Sequence, residues 1–145
     1  MREQRGRAAT ASRLFVLLIG GALVLGGIAG FFYESDFGTG AGLASDNILG
    51  IFPTSGWDNV LHLIAGLACL AAASRGPRPM ALAIGSLFLV VGLWGVLVTE
   101  NGFGVIVETI PVNTEDNLLH LAVGLVGLGA ALLDGGGGGR TPAAA

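Results

Sequence analysis

The sequence predicts an all-α, polytopic membrane protein: four transmembrane helices, built as two tandem helical hairpins in one antiparallel bundle. Three observations carry this. The 145 residues are 52% hydrophobic and only 12% charged, where an ordinary soluble domain holds about 25% charged residues. Residues 14–33 and 80–99 each run without a charge, and about 20 apolar residues carry a helix across a hydrocarbon core. A ten-residue motif also occurs twice. Asp58-Asn59-Val60-Leu61-His62-Leu63-Ile64-Ala65-Gly66-Leu67 returns 58 residues later as Asp116-Asn117-Leu118-Leu119-His120-Leu121-Ala122-Val123-Gly124-Leu125.

The first helix is expected over 14–33 and the third over 80–99. Each carries an Ile-Gly pair and two further glycines in the same places: Ile19-Gly20, Gly27 and Gly30, then Ile84-Gly85, Gly92 and Gly95, at an offset of 65. The second and fourth helices are expected over 60–74 and 118–133. They are short, but the polar first turn at each Asp-Asn pair brings them close to spanning length. Between the helices of each pair lies an acidic loop. Glu34-x-x-Phe37-Gly38 matches Glu100-x-x-Phe103-Gly104, and Ile48 and Pro53 match Ile106 and Pro111. The first loop carries about eight extra residues, roughly 39–46. Helix, acidic loop and helix therefore form a unit that occurs twice, over about 14–74 and 80–134. A unit that crosses twice repeats in the same orientation, which makes the repeat parallel and its axis normal to the membrane.

Charge placement sets orientation. All seven basic residues are Arg: Arg2, Arg5, Arg7, Arg13, Arg75, Arg78 and Arg140. They fall in the N-terminal segment, the middle connection and the C-terminal segment. By the positive-inside rule both termini are cytoplasmic, which places the chain in the plasma (inner) membrane. Residues 1–13 and 135–145, the latter opening with five glycines, are expected to be loose cytoplasmic segments. The Arg-rich start followed by an apolar run resembles a signal peptide. The run is too long for one, however, and it has a counterpart in the third helix.

Helix packing is expected to use small residues, since helices in lipid associate by close approach and polar contacts. Ala22, Gly26 and Gly30 share a face, as do Ala65, Cys69 and Ala73, while Gly66, Gly92, Gly95 and Gly124 recur within the repeat. Tyr33 and Trp57 sit where aromatic side chains anchor at an interface.

The polar residues are the functional lead. Asp58 and His62, like Asp116 and His120, stand four apart and share a helical face, flanked by Asn59 and Asn117. The structural reading makes Asp58 and Asp116 helix caps and the histidines interhelical hydrogen-bonding groups. The competing reading is a ligand site. Two imidazoles at equal depth suit a transition metal or haem iron, with the carboxylates orienting the rings. Ionisable groups inside a membrane also mark proton or ion paths. Glu34 and Glu100, at helix ends where the dipole disfavours a carboxylate, are candidate partners of the histidines. No phosphate-binding glycine loop, ordered catalytic triad or basic aromatic patch for nucleic acid is present. The leading expectation is a structural or accessory membrane protein without catalysis or cofactor, in contact with the bilayer and with a second copy or another membrane protein.

The segments Ile48-Leu49-Gly50-Ile51-Phe52-Pro53, Asn59-x-x-His62-Leu63 with Gly66-Leu67, Pro111-Val112-Asn113 and Asn117-x-x-His120-Leu121 with Gly124-Leu125 resemble an uncharacterised bacterial membrane family, domain of unknown function 4383. The resemblance runs from the first helix to the fourth. It implies a four-helix membrane protein and no activity. The glycine-rich tail and residues 39–46 look like local elaborations.

Overall fold

The computed structural model describes residues 10–135. The expected terminal segments lie almost wholly outside them. Four helices dominate: α1 (Ala11–Gly30), α2 (Gly56–Ala72), α3 (Pro77–Val98) and α4 (Thr114–Gly135). Three of them, α1, α3 and α4, are long and apolar enough to cross a membrane, and α2 is a shorter apolar helix of 17 residues.

The expected all-α class needs correction. Each connection between paired helices folds into an antiparallel β-hairpin. In the first, β1 (Asp46–Ile48) pairs with β2 (Phe52–Thr54); in the second, β3 (Phe103–Ile106) pairs with β4 (Ile110–Asn113). The signal was present in β-branched runs such as Val105-Ile106. Pro53 and Pro111, which cannot donate to a ladder, sit in two-stranded ribbons with no further neighbour to supply. The extra residues of the first loop include a short 3-10 turn, Gly40–Gly42, and Gly40 N–H donates to Glu108 O in the other hairpin at 2.8 Å.

α1 packs chiefly on α2, and α3 chiefly on α4. Glycines set the approach. A Cβ at Gly20 would meet the Gly66 carbonyl and Cys69, and one at Gly27 would meet Leu63. In the second pair, a Cβ at Gly85 would meet the Gly124 carbonyl, and one at Gly92 would meet Leu121. The expected stripe through Ala22 and Gly26 is not the contact. Gly26 faces open space and Ala22 is exposed. The face that approaches α2 is Gly20, Gly27 and Gly30, one position round the helix.

At the end opposite the hairpins, the Asp134 carboxylate accepts from the N–H groups of Ala11 and Ser12 at 3.1 and 3.0 Å, where its charge opposes the helix dipole. The Ser12 hydroxyl donates to Ala130 O, and Arg78 Nε donates to Ala131 O at 3.0 Å. The buried core is correspondingly small. Phe15, Val16, Leu23, Cys69, Ile84 and Phe88 pack with alanines of α2, α3 and α4. Most large apolar side chains point outward, among them Leu18, Leu25, Leu97, Leu125 and Leu133, each more than 60% exposed. Such a continuous apolar exterior has no place on a soluble monomer.

Candidate functional site

The expected polar residues gather at the hairpin end of the bundle. Ser55 caps α2, its hydroxyl accepting from Asp58 N–H at 3.2 Å. Asn113 does the same for α4, its Oδ1 accepting from Asp116 N–H at 2.8 Å. This corrects the expected caps. Both helices start earlier than the Asp-Asn pairs, so the aspartates lie inside the first turn with their carboxylates free to turn elsewhere. The pattern Ser55-x-x-Asp58 carried the signal, since a cap hydroxyl bonds the N–H three residues on.

Each carboxylate turns to the histidine one turn further. Asp58 Oδ2 lies 3.3 Å from His62 Nδ1, and Asp116 Oδ2 lies 3.2 Å from His120 Nδ1. Both approaches are close without being aligned as hydrogen bonds, and His120 Nδ1 is buried without one. Asp58, His62 and His120 line one cleft and Asp116 stands beside His120, so the two pairs form one cluster. His62 keeps 24% of its side chain exposed and His120 only 8%. Phe88 of α3 covers the latter, with ring centroids 5.0 Å apart.

The asparagines do different work. Asn59 is fully buried against Gly30, where a Cβ would overlap its carboxamide, and Asn117 is buried in the same way against Gly95. Asn59 Nδ2 donates to Glu34 O at 2.8 Å, and its Oδ1 accepts from the Thr54 hydroxyl at 2.6 Å. Asn117 Nδ2 donates to Thr99 Oγ1 at 2.8 Å, but its Oδ1 is buried without a partner.

Glu34 and Glu100 do not serve the histidines. The Glu34 carboxylate accepts from Asp36 N–H at 2.8 Å within its own loop, and its backbone carbonyl is what holds Asn59. Glu100 pairs through its backbone with Phe103 across a tight Asn101-Gly102 turn, in which both residues have positive φ.

Two contacts absent from the sequence reading join the hairpins. The Ser55 hydroxyl donates to Thr109 O at 2.9 Å, and Asn113 Nδ2 donates to Ile51 O at 2.6 Å. Each cap residue therefore both starts its helix and ties down the turn of the opposite hairpin.

Between α2 and α3 lies a cleft of about 350 Å³. Asp58, His62 and His120 reach it at one end, and Ile84, Phe88 and Ile110 help form its apolar walls. A larger groove of about 700 Å³ between α1 and α4 is lined by apolar residues alone, including Leu14, Phe15, Leu18, Val123 and Leu133. Among the described residues no group of three or more His, Cys, Asp or Glu is placed to hold a metal ion.

Apolar helices of spanning length, an apolar exterior and a polar cluster confined to one end define the class: a mostly helical protein suited to a lipid bilayer. Within that class the chain belongs to the family described as Domain of unknown function (DUF4383), which matches residues 13–133. No curated protein and no solved structure matches it.

Proposed function

We propose that the chain is a multi-pass plasma-membrane protein of two duplicated hairpins, with a structural or accessory role and no catalysis. In this reading all four helices span, residues 14–134 form the membrane domain, and both termini are cytoplasmic. Arg75 and Arg78 then lie on the cytoplasmic side, and the β-hairpins cap the opposite face. α2 reaches about 26 Å at 1.5 Å per residue, and its capped polar first turn extends into the headgroup region.

The observation that carries the reading is the reciprocal tie between hairpins. Ser55 and Asn113 are 58 residues apart, and so are their acceptors, Ile51 and Thr109. Contact of i with j′ and of i′ with j is what a two-fold relation requires. The duplicated polar residues thus fasten helices and hairpins to one another. A metal reading would need at least three of the imidazoles and carboxylates to converge on one point, and among the described residues no three such groups are placed to do so. A proton path would need titratable groups along the bundle, and the walls of the α2–α3 cleft beyond the cluster are apolar.

The test is metal analysis, iron and haem included, of the gently purified protein beside the His62→Ala/His120→Ala double variant, with unfolding in detergent recorded for both. The expected result is no bound metal in either protein and a lowered unfolding midpoint in the variant. Stoichiometric metal in the parent, lost from a still-folded variant, would overturn the scaffold reading.

A further inference from the structure

We infer that the α2–α3 cleft binds an amphiphile with a protonated amine head, entering from the lipid. A cleft of about 350 Å³ is of ligand size, and ligand sites are typically apolar concavities with a few convergent polar groups. Its mouth is lined by Leu61, Ile64 and Leu87, which are 47%, 61% and 50% exposed. The approach is therefore through hydrocarbon, and the ligand must carry an apolar body.

Its head is selected at the other end. Asp58 and His62 reach the cleft beside His120, with Asp116 behind. Every Arg in the chain lies outside the hairpin-bearing connections, and there is no Lys. Two carboxylates with no cationic side chain other than the imidazoles disfavour an anion and favour a cation. Both histidines reach the cleft, and a neutral imidazole carries one acceptor nitrogen, which suits an N–H donor. The Phe88 ring beside His120 supplies a face that attracts a cation. His120 gives an independent sign that the network is incomplete. It is 6% exposed, reaches into the cleft, and its buried Nδ1 has no hydrogen bond. Unmet buried groups of this kind call for a partner. The α1–α4 groove, which has no polar end, provides a built-in control.

The experiment measures binding of radiolabelled dodecylammonium to the full chain in nanodiscs of zwitterionic lipid, with empty nanodiscs subtracted. Dodecanol and dodecanoate serve as competitors. The expected result is saturable binding of one dodecylammonium per chain, with both competitors at least tenfold weaker. Binding should fall at least tenfold in Asp58→Asn and in Leu87→Trp, which fills the mouth without touching the polar groups, and should be unchanged in Val126→Trp in the other groove. Equal competition by dodecanol would overturn the inference, as would full binding in folded Asp58→Asn. If Asp58→Asn does not fold, retained binding in Leu87→Trp is decisive against it.

Discussion

The two helix pairs press the same residue against the same residue, yet only the first satisfies it. Asn59 meets Gly30 and Asn117 meets Gly95, but Thr54 donates to Asn59 Oδ1, whereas Asn117 Oδ1 has no partner. The reason is one position in the strand before the helix. Val112 stands 58 residues after Thr54, fully buried like it and without a hydroxyl. The hairpin turns differ in the same sense. Leu49-Gly50 and Val107-Glu108 all have positive φ, a conformation that glycine adopts freely and a β-branched residue resists. The second turn carries no glycine there. It is held by bonds from outside, Gly40 N–H to Glu108 O and the Ser55 hydroxyl to Thr109 O. At the opposite end the balance reverses. Arg78 Nε bonds Ala131 O, while Arg13 Nε, 65 residues earlier, is buried without a partner. The carbonyl that would correspond, at Ala73, falls at the C-cap of α2, where the chain already turns toward α3. The same glycine–asparagine contact thus stands in both helix pairs, while the unpartnered polar atoms fall at different places in each.

The comparison breaks most visibly at the glycines. Gly30→Ala forces a methyl into the Asn59 carboxamide and is expected to cost about 3 kcal/mol, at the upper end for overpacking. Gly95→Ala is expected to cost about 2 kcal/mol, because Asn117 is held by fewer bonds and yields more readily. Reversible unfolding in detergent measures both, and a larger loss at Gly95 would refute the ranking.

Exchanging the strand residues sharpens it. Thr54→Val leaves Asn59 Oδ1 buried and unpaired at a cost of about 1–2 kcal/mol, while Val112→Thr gains about 0.5–1 kcal/mol by pairing Asn117. If both changes destabilise, the hydroxyl is not what separates the two halves. The turns give a smaller effect. Val107→Asn with Glu108→Gly relieves two strained residues and should stabilise by about 1 kcal/mol, read as a raised unfolding midpoint. No gain would mean that the outside bonds already offset the strain. Smallest of all is Gly26→Ala, which meets open space and should stay within about 0.5 kcal/mol. A loss comparable to that at Gly30 would restore Gly26 to the helix contact.

Much of the fold was legible because it depends on sums over neighbouring residues. Hydropathy located the helices to within a few residues, and periodicity placed Asp58, His62 and Gly66 on one face. The β-hairpins were missed because strands of three or four residues give too short a pattern to compete with the acidic, glycine-rich loops around them. The candidate site was half legible. Its residues were evident from their duplication, but their tasks were exchanged: the caps belong to Ser55 and Asn113, the helix contact to the asparagines, and the aspartates to the histidines.

By itself, the sequence determined which segments are helical, how apolar they are, and which side chains share a face, since these follow from composition and from 3.6 residues per turn. Only the tertiary structure decided which backbone atom each buried polar group meets, that Glu34 contributes its carbonyl to Asn59, that each cap reaches the opposite hairpin, and that both histidines open on one cleft while the other groove stays apolar. A hydrogen bond forms or fails over a few tenths of an ångström between residues far apart in the chain, and no local sum of residue properties contains that distance.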